Sequence, residues 1–149
     1  MGLFSGLSTT RTQQKGVSFS PAEAFAAIAL ATVAADGYLS DDETEVMIAS
    51  LNRMELFRSY SGDVMGRLFD KLCGITKRHG SDTLLKNAIA SLPHHLHDTA
   101  FAVATDLVLA DGEVTEEEED LLQYLYSYLD IPEQKAKMII DAMIIKNKG

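Results

Sequence analysis

Ala35-Asp36-Gly37-Tyr38-Leu39-Ser40-Asp41-Asp42-Glu43 returns 75 residues later as Ala110-Asp111-Gly112-Glu113-Val114-Thr115-Glu116-Glu117-Glu118. Each copy reads as the end of one helix, a tight turn and the start of the next. The glycine can enter the left-handed conformation that stops a helix, because it has no Cβ to clash. Three residues on, Ser40 and Thr115 stand at N-cap positions, and Glu43 and Glu118 close capping boxes. The acids between them favour the positive helix start by ~0.3–1 kcal/mol each. Leu39 and Val114 are expected to plug the core behind each turn.

The repeat extends beyond the motif. Residues 26–51 fall on residues 101–126 without a gap, with identities at Ala27/Ala102, Ala29/Ala104, Val33/Val108 and Ala35/Ala110 besides the Asp-Gly and Glu matches. Two helix–turn–helix units related by a pseudo-two-fold axis are therefore expected. The alanines of the first and fifth helices would let these two approach closely as a central pair.

Reading outward, Ser20-Pro21-Ala22-Glu23 is a capping box with proline at the first helical position, and Phe19 before it suits a staple. Helix 1 should run to about Ala35, and helix 2 from Ser40 to about Met54. Helix 3 should span Asp63 to His79, where Gly80 stops it, and Ser81 should cap a helix 4 ending near Leu92. Pro93 should open helix 5, to about Ala110. Thr115 should cap helix 6, to Leu129, and Asp130-Ile131-Pro132-Glu133 should start helix 7, ending near Lys146. No segment has the two-residue alternation of a strand. The expected fold is an all-α single domain of about seven helices over residues 19–149, after a flexible polar tail at 1–18.

Composition narrows the partners. At 149 residues the chain can bury one proper core. A net charge of −9 opposes nucleic acid, whose affinity comes from Lys and Arg on phosphates, and opposes anionic membrane surfaces. It suits cations or basic partners. The single cysteine, Cys73, cannot form an intramolecular disulfide, which fits a reducing, cytoplasmic compartment; in an apolar helix it reads as a small core residue. No apolar run reaches the ~18–20 residues of a membrane span. Met1-Gly2 begins like a myristoylation signal but Gly6 stands where Ser or Thr is required, and the plan of a signal peptide is missing.

The aspartates of the motif pose the functional question. Asp36 and Asp111 sit at helix C-termini, where a negative charge opposes the macrodipole. Either each carboxylate bonds turn N–H groups, as Asx turns do, or the acids hold a divalent cation. Oxygen-only ligands would select a hard ion such as Ca²⁺, Mg²⁺ or Mn²⁺. Asp-Gly-x-[Leu/Val]-[Ser/Thr]-x-x-Glu matches the second half of an EF-hand loop. The first half fails, with Thr32 and Ala34 in one copy and Leu107 and Leu109 in the other where ligands should stand.

With two Ala-Asp-Gly turns, each followed by a capped acidic helix, in an all-helical chain of this length, the sequence resembles the TerB-like family over roughly residues 20–146. That resemblance implies a seven-helix fold and a link to resistance against tellurite and other stresses, often beside membrane and metal-handling partners. It implies metal binding by conserved acids and no settled enzymatic activity. The matching positions are Asp36, Glu43, Asp111 and Glu118. Asp106 joins them as an acid on an otherwise apolar helix, where a charge needs a partner; its counterpart in the first unit is Ala31, so the two sites are not identical.

The expected function is thus a non-enzymatic stress-response module, with a protein-interaction domain that binds no metal as the alternative. The expected partner is a protein, membrane-associated in the family's case; a homodimer is compatible with the sequence, and neither nucleic acid nor membrane insertion is expected. A metal-assisted hydrolase would need a cleft beside the acids and a perturbed carboxylate. Pro93-His94-His95-Leu96-His97-Asp98 is the histidine cluster, but no second pair of ligands completes a zinc site, so an exposed helix start is expected. Nucleophile elbow, P-loop and dinucleotide fingerprint are absent. Helix 7, with Met138, Ile139, Ile140, Met143, Ile144 and Ile145, is broadly apolar; it is expected to pack in the core, with a dimer or partner surface as the alternative. Tyr124, Tyr126 and Tyr128 are expected as half-buried packing.

Overall fold

The computed structural model describes residues 18–35, 37, 39–110 and 112–148. Of the expected tail only Ser18 lies among them. Seven α-helices are found among these residues: α1 Pro21–Val33, α2 Asp41–Asn52, α3 Gly62–His79, α4 Ser81–Ser91, α5 His97–Leu109, α6 Glu116–Tyr128 and α7 Glu133–Lys146. They form one all-α domain in two clusters, α1–α4 and α5–α7.

Helix α1 is the axis of the domain. Eleven of its thirteen residues are buried; only Pro21 and Glu23 are not. A helix apolar all round has to be surrounded. It packs on α4 and α5, with α2 and α3 closing the remaining sides. The alanines between Ala22 and Ala31 permit this close approach. So α1 and α5 do pack together, as expected, but α4 is an equally intimate neighbour of α1. Two buried threonines on these helices are satisfied internally, Thr32 Oγ1 donating to Ile28 O and Thr105 Oγ1 to Phe101 O, both at 2.8 Å.

The helix starts follow the sequence. Capping boxes form at Ser20/Glu23, Ser40/Glu43 and Thr115/Glu118. Helix α3 starts at Ser61, whose Oγ accepts from Val64 N, and buries Met65, Leu68, Phe69, Leu72 and Ile75 along one face. Phe19 is buried, its N–H donating to Ser91 Oγ. Gly37 and Gly112 have φ of 85° and 83°.

Four local expectations are corrected. Ser81 is not a cap: Gly80, at φ 90°, ends α3 and begins α4 with no residue between, which makes Ser81 the first helical residue. Helix α2 ends at Asn52 rather than Met54, and a 3-10 turn Glu55–Phe57 follows. That turn swings Phe57 into the core, edge-on to Phe25 and Tyr60 at 6.4 and 5.4 Å. Pro93 opens a 3-10 turn, His94–Leu96, before α5 begins at His97. Leu39 packs against the core, but Val114 is 41% exposed and plugs nothing.

Helix α7 departs most from expectation. Only Ala136 is buried, Ile139 and Ile140 are half-buried, and Met138 and Ile145 are 69% and 67% exposed. Among the described residues the helix packs chiefly on α5. The described residues contain no helix long and apolar enough to cross a membrane.

Candidate functional site

Glu43 and Glu118 share a cavity. Both line a cavity of about 140 Å³ between α1, α2, α5 and α6, together with Asp42 and the apolar side chains of Val33, Val46, Leu107 and Ala110. Each glutamate is held by its own cap. Glu43 Oε1 accepts from Ser40 N at 3.2 Å and Ser40 Oγ from Glu43 N at 3.1 Å. Glu118 Oε1 accepts from Thr115 N at 2.9 Å and Thr115 Oγ1 from Glu118 N at 3.1 Å. The capping box uses one oxygen, Oε1, of each carboxylate. Glu118 is only 7% exposed, an unusual burial for a carboxylate.

Asp36 and Asp111 lie outside the described residues. The flanking Gly37 and Gly112 define the two turns: Gly37 N donates to Ala34 O and Gly112 N to Leu109 O, at 2.9 and 3.2 Å. Among the described residues no three His, Cys, Asp or Glu side chains form a ready metal-ligand set.

Asp106 sits elsewhere. It points from α5 to the end of α7, where Asn147 Nδ2 donates to its Oδ1 at 2.8 Å and Lys146 Nζ lies 3.2 Å from its Oδ2. The partner that a charge on this apolar helix demanded is therefore the C-terminal turn of α7. Asp106 is not among the residues lining the Glu43–Glu118 cavity.

The histidine cluster has a structural use that the sequence does not reveal. His94 and His95 are exposed, as expected, but His97 is half-buried and lies between two helix ends. Its Nδ1 is 3.0 Å from Leu129 O and its Nε2 3.1 Å from Leu92 O. An imidazolium donates to both carbonyls and a neutral ring to one. With both nitrogens so placed, His97 ties the ends of α4 and α6 to the start of α5. The His94 ring stacks on it at 4.9 Å.

The tyrosines of α6 divide. Tyr124 and Tyr126 are half-buried, while Tyr128 is exposed and its ring lies 4.4 Å from that of Tyr124. Burial, with Tyr128 and Asp82 nearby, pushes the Tyr124 hydroxyl above its ordinary pKa. Cys73 is a free, half-buried thiol packed against the core.

The sequence does not reveal a groove of about 600 Å³ between α6 and α7. Its only signal is the surplus of apolar residues on α7, more than one buried face needs. Compared with family models, curated proteins and solved structures, the chain matches none.

Proposed function

We propose that this chain is a non-enzymatic stress-response module of the tellurite-resistance, TerB-like type, taking a divalent cation at the cavity that its two capping-box glutamates share. In this reading the two helix–turn–helix units are related by a pseudo-two-fold axis, and the cation lies near that axis. The supporting observation is the shared cavity: Glu43 and Glu118, one from each unit, line it together with Asp42. The donors are all oxygen, which selects Ca²⁺, Mg²⁺ or Mn²⁺ over softer ions. The resemblance adds Asp36 and Asp111 as candidate ligands; both lie outside the described residues. Asp106 serves the fold through Lys146 and Asn147 rather than the cation.

The test is calorimetric titration of the metal-free protein with Ca²⁺, Mg²⁺, Mn²⁺ and Zn²⁺, beside Asp111→Asn and Glu118→Gln. Gln can still close a capping box, so the second variant keeps the helix start. Heat and a higher melting temperature with a hard ion, lost in both variants, support the site. Silence with every ion returns the acids to turn and cap chemistry.

A second reading, an interaction domain that binds no metal, is favoured by one observation: the bare apolar side of α7 at Met138 and Ile145. Exposed apolar surface of this kind commonly marks a partner site.

A further inference from the structure

Helices α6 and α7 both rest on α5 but splay apart above it, and the groove between them has two regular walls. One wall is the α6 row Glu119, Leu122, Gln123 and Tyr126; the other is the α7 row Glu133, Ala136, Lys137 and Ile140. Both rows step by three or four residues, so each is a single helix face. Phe101 of α5 forms the floor. The row on α7 continues one turn further to Ile144, which is 40% exposed. The rim is acidic: Glu119, Asp120 and Glu133 face one cation, Lys137.

The charge distinguishes among occupants. A second copy would bring its own −9 and its own acidic rim to this face, and like charges set against each other cost binding energy. Nucleic acid is repelled for the same reason. A groove walled by two helix faces, with half-buried Leu122, Tyr126 and Ile140 inside it and carboxylates along its edges, suits the helix-in-groove mode, in which anchors at i, i+3, i+4 and i+7 enter the groove. We propose that the α6–α7 groove docks a basic amphipathic helix of a partner protein, its apolar stripe on Leu122, Tyr126 and Ile140 and its Lys or Arg side chains on Glu119, Asp120 and Glu133. This rests on the interaction reading above and is independent of the cation site.

The probe is a fluorescein-labelled peptide of about 18 residues, long enough for a stable helix, with Leu at helical spacing and Lys elsewhere; a twin carries Glu in place of Lys. Anisotropy is followed against the full chain, Glu119→Lys, Ile140→Asp and, as a control, Glu118→Gln. The Lys peptide should bind, weaken about tenfold in Glu119→Lys and in Ile140→Asp, and bind Glu118→Gln unchanged even if that variant loses its cation. Ile140→Asp adds negative charge, so non-specific attraction would rise in that variant while groove docking falls. Amide chemical shifts of Leu122, Tyr126 and Ala136 should move on binding, and dispersed spectra of both variants check their folds. The proposal is overturned if the Glu peptide binds equally well, if Ile140→Asp binds as tightly as the parent, or if the shifts lie elsewhere. It is also overturned if light scattering shows a dimer that Ile140→Asp dissociates, which would make a second copy the occupant.

Discussion

Glu43 and Glu118 stand 75 residues apart in the chain, each closes the capping box of its own helix, and the two line one cavity. A residue type chosen locally, to cap a helix, is thereby delivered to the same cavity as its counterpart.

The cap and the cavity can be separated by substitution. Glu118→Ala removes the acceptor for Thr115 N and should cost about 1 kcal/mol, in the range of cap losses. Glu118→Gln keeps that acceptor and should cost less than half as much. Urea unfolding of the two variants reads the difference; equal losses would mean that charge in the cavity, rather than the cap, governs Glu118's contribution to stability.

At Gly112 the cost of a side chain is conformational. A Cβ there would meet no atom within 4 Å, yet φ is 83°. Gly112→Ala should therefore destabilise by about 1–2 kcal/mol through the left-handed backbone alone, and Gly112→Asn by less, since Asn tolerates this region. A neutral alanine variant would show that the turn relaxes to negative φ.

Asp106 should behave as a fastener for α7. Asp106→Ala frees Lys146 and Asn147, so amides at the end of α7 should exchange faster while global stability falls by no more than about 1 kcal/mol, because the ion pair is half-exposed. Titrated with the cation that binds the parent chain, Asp106→Asn should give the same heat. A large drop in that heat would place Asp106 in the cation site after all.

Acid should weaken the α1–α3 link. Burial pushes the Glu23 carboxyl up, but hydrogen bonds from Lys71 Nζ and Ser20 N–H outweigh it, and its pKa lies below the ordinary glutamate value. A carboxyl depressed in the folded state stabilises above its unfolded pKa, about 4.3, and loses that contribution as pH falls through the folded value. Glu23→Gln should therefore melt lower than the parent at pH 7, and the gap should narrow steadily below about pH 4. A gap that stays constant down to pH 3 would exclude this linkage.

Helix positions were legible because their signals are local. Ser20-Pro21, Ser40/Glu43 and Thr115/Glu118 each specify a start through hydrogen bonds spanning three residues, and Gly80 specifies a stop through its own φ. The errors were local competitions decided elsewhere. Phe57 is buried because Phe25 and Tyr60 flank it, and nothing in Glu55-Leu56-Phe57 announces that. Val114 carries the same pattern as Leu39, yet it stays at the surface while Leu39 packs against the core.

By itself the sequence determined seven helices, their caps and the recurrence of one acidic turn, since each depends on residues within a few positions of one another. Tertiary structure alone decided where the acids go. It put Glu43 and Glu118 on one cavity, sent Asp106 to Lys146 and Asn147, and placed His97 between the carbonyls of Leu92 and Leu129. It also left Met138 and Ile145 of α7 exposed, because among the described residues α7 packs chiefly on α5. Apolar periodicity reports that a helix has a face to bury; which neighbour covers that face depends on the packing of the whole chain.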